Sequence, residues 1–253
     1  MKKRKNKNKI ALVTGFSRGI GEAITRQLIK DGFYVFGVSR KESDQSKALI
    51  HELKPNLKGL YFDLSKKNNV EEMLRSVKGI KLDAVINNAG IIEFENFKKF
   101  DYKIWTNTLN VNLNAILLTS VRLVEQMNEG GSIVNIASTD GLTGSYSSMS
   151  YSASKAALIN LTKSLAINYG KYQVRVNSIS PGWINTGMST ESSYEATKLA
   201  PLGRNGKPQE IADLVSYLIS PKASFITGSN IVIDGGYSCV DYIMKKEADE
   251  FEQ

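Results

Sequence analysis

The feature that most constrains this 253-residue chain is a recurrence of seven short strand-like stretches, five of them apolar runs and two (132–137 and 174–179) apolar residues mixed with polar ones, each closed by glycine or polar residues. They lie at residues 10–13, 33–38, 60–62, 84–86, 132–137, 174–179 and 231–233. Runs rich in Val, Ile and Leu, with little polar alternation, read as strands covered on both faces. Stretches of helical periodicity separate them. The first carries Ile24, Leu28 and Ile29 and stops at Asp31-Gly32; others are expected at 42–53, 69–77, 102–127, 152–169 and 208–219. Strand and helix in alternation predict an α/β chain, a doubly wound parallel sheet with helices on both faces. No linker composition divides the body, so one domain is expected over 10–238, preceded by a basic tail (1–9) and followed by a charged extension (239–253).

Net charge is +8, which invites a nucleic-acid reading, but six of the basic residues (Lys2, Lys3, Arg4, Lys5, Lys7, Lys9) fall in the first nine positions and the rest of the chain carries only +2. The tail reads as a disordered, solubilising leader, the alternative being an arm for anionic lipid or nucleic acid. The apolar run at 10–13 breaks at Thr14-Gly15, too soon for a secretory signal. No stretch approaches membrane-spanning length. Cys239 has no partner for an internal disulfide, and with His51 as the sole histidine no metal site is expected. The expectation is a cytoplasmic protein without nucleic-acid or membrane partners.

Gly15, Gly19 and Gly21 stand between the first strand and the first helix. The spacing is neither Gly-x-Gly-x-x-Gly nor a Walker loop. A strand, a glycine turn and a helix N-terminus nevertheless make a site for a pyrophosphate, the alternative being a plain turn. After the second strand come Ser39-Arg40, with no acid. In dinucleotide folds an acid there takes the ribose hydroxyls, whereas a basic residue accommodates a 2′-phosphate. Arg18 offers a second guanidinium, so NADP(H) is the expected cofactor. Asp63, closing the third strand, suits either an adenine contact or a turn cap.

Tyr151 and Lys155 are four residues apart, on one face of a helix. A phenol titrates near pH 10, and a nearby ammonium favours its anion. Such a pair can move a proton to or from a substrate oxygen.

Thr14-Gly-x-x-x-Gly-Ile-Gly21, Asn87-Asn-Ala-Gly90, Asn112, Ser138, Tyr151-x-x-x-Lys155 and Pro181-Gly182 with Thr186 together resemble the short-chain dehydrogenases/reductases, and most of all the 3-oxoacyl-carrier-protein reductases. Arg204-x-Gly-x-Pro208 and Asp234-Gly-Gly236 extend the likeness over almost the whole chain. The resemblance implies a Rossmann-type fold and an enzyme that moves hydride between nicotinamide and a ketone or secondary alcohol. It makes Tyr151 the general acid/base and Lys155 the group that lowers its pKa and holds the nicotinamide ribose. Ser138 would bond the substrate oxygen, and Asn112 would hold a relay water. For the cofactor it implies the turn residues Gly15, Ser17, Arg18, Gly19, Ile20 and Gly21, then Ser39, Arg40, Asp63 and Leu64, then Asn88, Ala89 and Gly90, then Tyr151 and Lys155, and finally Pro181, Gly182, Ile184 and Thr186. Asp140 and Trp183 would join Ser138 and Tyr151 at the substrate, in a pocket bounded by 139–150 and 183–201, with Leu142, Tyr146, Met149, Met188 and Tyr194. Carrier-protein docking is disfavoured by Asn128-Glu-Gly and Gly170-Lys-Tyr-Gln173, which are only weakly basic. A sugar, polyol or other secondary-alcohol dehydrogenase is the alternative, and a non-catalytic NADP-binding protein the reading outside the class. Family members commonly form dimers or tetramers through the two long helices. Leu158, Leu161 and Leu165 with Ala157 suit such a contact or burial against the sheet.

Overall fold

A computed structural model describes residues 9–186 and 196–251. The chain runs β1 (Lys9–Thr14), α1 (Gly19–Lys30), β2 (Phe33–Ser39), α2 (Asp44–Glu52), β3 (Leu57–Tyr61), α3 (Lys67–Ser76) and β4 (Leu82–Asn87). It continues through α4 (Tyr102–Leu109), α5 (Ala115–Leu123), β5 (Met127–Ile136), α6 (Met149–Tyr169), β6 (Arg175–Pro181), α7 (Pro208–Ile219), β7 (Asn230–Ile233) and α8 (Tyr242–Phe251). The seven strands form one sheet in the order β3-β2-β1-β4-β5-β6-β7, every pairing parallel. This is the expected single-domain, doubly wound sheet of Rossmann type.

Alternate residues of each strand feed two cores. Ala11 and Val13 of β1 face one side with Ile24 and Leu28 of α1, Leu49 of α2 and Ile211 and Val215 of α7. Leu12 faces the other, with Met73 of α3, Leu123 of α5 and Leu165 of α6. Each wholly buried Leu or Ile contributes about 1.5–3 kcal/mol over its exposed state. Leu158 and Leu165 are buried, so burial rather than a free contact face accounts for them.

Element bounds differ from the sequence reading by up to three residues at several ends, and three differences change the path of the chain. β3 begins at Leu57, because its ladder with β2 starts at Val35↔Leu57. The helix expected over 102–127 is three pieces: α4, a π-helical turn (Asn110–Asn114) and α5, with a 3₁₀ turn to Gln126. β5 then starts at Met127, ahead of the expected 132. The ladder with β4 slips between Leu82↔Met127 and Ala84↔Ser132, which absorbs the polar Asn128-Glu-Gly-Gly stretch that hides the strand in the sequence. The charged extension forms α8. Residues 1–8 of the basic tail, and Met188 and Tyr194 of the expected substrate segment, lie outside the described residues.

The sheet order reverses between β1 and β4. At such a switch point the two crossovers leave in opposite directions and open a crevice at the strands' carboxyl ends.

Candidate active site

The β1–α1 turn is built by close backbone contacts. Gly15 adopts φ +70° and donates its N–H to Val38 O at 2.7 Å. A Cβ on Gly21 would lie 1.9 Å from Gly15 O, so the first turn of α1 can press on the glycine turn only because no side chain is there. Phe16 is wholly buried over Gly37 of β2, where a Cβ would meet its ring at 2.4 Å. Asn88 fixes the turn from β4: its Nδ2 donates to Thr14 O at 3.0 Å and to Gly15 O at 3.2 Å. In return Thr14 Oγ1 accepts from the N–H groups of Asn88 and Ala89, each at 3.0 Å. Arg18, which starts α1, makes no side-chain cap, so the first N–H groups of the helix lack a side-chain acceptor. This suits an anion held by backbone donors at the positive end of a helix.

A cleft of about 630 Å³ opens from this turn across the ends of β1, β2 and β4. Every expected cofactor contact from Gly15 to Gly90 lines it, and so does Thr186. Thr186 approaches closely: its Cγ2 lies 3.2 Å from where a Gly19 Cβ would stand. Pro181, Gly182 and Ile184 do not line the cleft. Gly182 packs on Asp234, with its Cβ position 2.6 Å from the Asp234 side chain, and Ile184 bridges to Gly206. These residues shape the loop that presents Thr186. Lys41 and Asn107 also line the cleft and were missed. Lys41 was legible as a second cation beside Arg40, whereas Asn107 gave no signal in its helical stretch.

Arg18, Arg40 and Lys41 place three cationic residues along the cleft. Asp63 lies among them. Burial would raise its carboxyl, but bonds from Ser65, the nearby Lys66 and Arg40 outweigh burial and hold it below the usual range. One oxygen accepts from Ser65 N at 3.1 Å and Ser65 Oγ at 2.8 Å, so Asp63 caps its own turn while facing the cleft.

At the other end, β5, α6 and the π-helical turn bring four side chains together behind Gly90. A Cβ on Gly90 would lie 3.4 Å from both Lys155 Nζ and Asn112 Oδ1. Lys155 is 3 % exposed and donates to Ile136 O at 2.8 Å, and burial pushes its ammonium down to about 8. Its Nζ is 5.5 Å from the centroid of the Tyr151 ring. Burial pushes the Tyr151 phenol up, a hydrogen bond with Ser138 pulls it down, and the charge of Asp140 adds to the rise. The net shift is upward, so in these surroundings the phenol holds its proton. Burial also raises Asp140, whose N–H donates to Ser138 Oγ at 3.1 Å. The Thr139–Gly141 turn lies tight on α6, since a Cβ on Gly141 would stand 2.7 Å from the Lys155 carbonyl carbon.

Asn112 is wholly buried in the π-helical turn. Its Oδ1 accepts from Ile91 N and its Nδ2 donates to Ile91 O, each at 2.9 Å, and Nδ2 also donates to Ser154 Oγ at 3.1 Å. Both amide protons are used, and the oxygen keeps one lone pair. Trp183 stands apart: it is 41 % exposed, and the part of it that is engaged is its carbonyl, which accepts from Gly206 N at 2.8 Å. Among the described residues no group of His, Cys, Asp and Glu could hold a metal ion, and no helix is long and apolar enough to cross a membrane.

Residues 15–238 match the family model described as enoyl-(acyl carrier protein) reductase. The chain belongs to the short-chain dehydrogenases/reductases. An NAD-dependent glycerol dehydrogenase of Listeria innocua is 34% identical, over 91% of this chain and 94% of that protein. A 3-oxoacyl-[acyl-carrier-protein] reductase of Aquifex aeolicus is 37% identical, over 92% and 98%. Among solved structures, a blue fluorescent protein from a metagenomic library, in complex with NADPH, superposes with a TM-score of 0.86 at 29% identity, covering 91% of this chain and 98% of that one. The chain is therefore an oxidoreductase of this family, acting on alcohol or ketone substrates.

Proposed function

We propose that the chain is an NADP(H)-dependent oxidoreductase that interconverts a ketone and a secondary alcohol, with Tyr151 as general acid/base. The carrying observation is the juxtaposition of Tyr151, Ser138 and Lys155 with the inner end of the cleft at Gly90. The cleft fits a dinucleotide: glycines leave room for a close approach of phosphate, and the N-terminus of α1 supplies donors. Gly15 to Gly21 would hold the pyrophosphate, and Arg18, Arg40 and Lys41 a 2′-phosphate. When bound, the cofactor supplies or accepts the hydride.

The residues of the chain do the rest. Ser138 orients the substrate oxygen toward the phenol, which is kept protonated by burial and so is suited to donate in the reducing direction. Lys155, at about 8, lies close enough to neutrality to resupply that proton without a large barrier. Support for NADP over NAD rests on Arg40 and the missing acid at the end of β2. The NADPH-bound neighbour agrees with it; the NAD-dependent glycerol dehydrogenase marks the alternative.

For the substrate, 3-oxoacyl thioesters are one class, favoured by the kinship to carrier-protein reductases. A second reading has one observation in its favour. Asp140 places a carboxylate beside the catalytic phenol, where a hydroxyl of a polyol or sugar could donate to it. A homodimer or homotetramer is also proposed, since Leu117 and Val121 of α5 and Ile167 of α6 are exposed apolar residues on the two helices concerned.

The test is a panel of ketones, 3-oxoacyl thioesters and polyols with NADPH or NADP, followed at the NADPH absorbance band. Turnover of at least one class supports the proposal. Tight NADPH binding with no turnover across the panel would leave a non-catalytic nucleotide-binding protein.

A further inference from the structure

Glu95 is the one buried acid among the described residues, at 7% exposure. It lies between β4 and α4. Its N–H donates to Ser147 O at 2.7 Å. Its carboxylate accepts from the N–H of Ser150, at 3.1 Å to one oxygen and 3.3 Å to the other. Ser150 is in the first turn of α6, immediately before Tyr151. The residue that begins this helix, Ser148, makes no side-chain cap, because its hydroxyl is turned to Ser145 Oγ at 2.6 Å. A carboxylate from 55 residues away therefore takes the place of the local cap and meets the positive end of a 21-residue helix.

The far side of the Tyr151 peptide is held by different groups. Ser154 Oγ donates to Tyr151 O at 2.6 Å and accepts from Asn112 Nδ2 at 3.1 Å. Asn112 also grips both backbone groups of Ile91. The segment 91–95 is thus tied to α6 at two points, one on each side of Tyr151.

We infer that Glu95 is a positioning residue for Tyr151: its clamp on Ser147 and Ser150 fixes the first turn of α6 and with it the direction and depth of the phenol. This rests on the reading of Tyr151 as proton donor. Proton transfer needs heavy atoms within hydrogen-bond reach, and a misplacement of about 1 Å can lower a rate by about 10²-fold. Glu95 touches neither end of the cofactor cleft, so its effect should appear in the chemical step.

The experiment compares Glu95→Ala, Glu95→Gln, Glu95→Asp and Tyr151→Phe in the full chain, with a ketone that the wild type reduces. Glu95→Ala is expected to lower kcat by about 10- to 100-fold while KM and the NADPH Kd stay within about twofold. Glu95→Gln, whose amide oxygen can still accept from Ser150 N, should recover most of kcat. Glu95→Asp, one methylene too short, should fall between them, and it keeps the comparison alive if the alanine variant does not fold. Backbone amides of residues 150–154 should exchange faster in the alanine variant than in the glutamine variant. A Glu95→Ala enzyme with unchanged kcat overturns the inference. So does a Glu95→Gln enzyme no better than alanine, or a loss confined to KM or to NADPH binding. Tyr151→Phe separates the two levels. If it keeps near-normal turnover, the proton-donor reading falls and takes the inference with it. If it is inactive while Glu95→Ala is unaffected, only the inference fails.

Discussion

Replacing Lys155 by methionine should change how stability depends on pH, more than it changes stability at neutrality. The native ammonium is pushed from its usual 10.5 to about 8 because it is desolvated, with Ile136 O its hydrogen-bond acceptor. The displacement corresponds to about 3 kcal/mol of preference for the neutral amine. Below about pH 8 the lysine is charged in both native and unfolded chains, and the full desolvation penalty burdens the native state. Between about 8 and 10.5 the unfolded chain still binds the proton and the native one has released it, so stability rises with pH. From pH 7 to pH 9.5 the gain should be about 2 kcal/mol. Methionine has no such window. At pH 7 it also removes the penalty, but it leaves Ile136 O without that donor, which costs about 1–3 kcal/mol, so the two proteins should be close there. Urea unfolding of both at several pH values gives the difference between them, in which all other titrations largely cancel. A gap widening by about 2 kcal/mol in favour of the wild type toward pH 9.5 is expected. A difference constant to within about 0.5 kcal/mol would show that Lys155 is not held near neutrality by burial, and the proton resupply assigned to it would go.

Tyr151→Phe should keep the NADPH Kd within about twofold and lower turnover by about 10²–10⁴, the usual worth of a positioned acid, as read by titration and steady-state kinetics. Arg40→Asp removes a charge-assisted contact worth about 1.5–3 kcal/mol and adds repulsion, so the ratio of kcat/KM for NADPH over NADH should fall by about 10- to 100-fold; an unchanged ratio would take Arg40 out of the phosphate site. Gly21→Ala must push α1 off the glycine turn, since its Cβ would be 1.9 Å from Gly15 O. A loss of about 1–3 kcal/mol in denaturant unfolding and a much weaker NADPH titration are expected, and a variant that binds normally would refute the close-contact account.

The sheet was legible because its strands are buried on both sides. Ala11 to Val13 and Ala84 to Ile86 have nowhere to alternate, so their apolar character is continuous. Tyr151, Lys155 and Ser138 were legible because their chemistry is local, or lies at a strand end. Glu95 was not, because its partner is 55 residues away and a lone glutamate in a loop looks like a solvated charge. The expected effect of Lys155 on Tyr151 follows from charge alone, whereas the folded environment adds desolvation of both groups, which no sequence spacing encodes. The start of β5 was hidden for a related reason: Asn128, Glu129 and two glycines fill a ladder irregularity, so the polar signal there is real but does not mark a break in the path.

The π-helical turn at Asn110–Asn114 stores positional information in the count of residues rather than in any side chain. One extra residue in that turn puts everything after it about 100° out of phase with a continuous α-helix. Upstream, Asn107 faces the cleft, as does Val111 inside the turn; downstream, Ala115 and Leu123 face the sheet. A scan of point substitutions preserves this offset at every position and so would never sample it. Removing a single residue from the turn would rotate one half of the helix against the other, carrying Asn112 away from Ile91 and Ser154 while leaving the composition of the chain almost untouched.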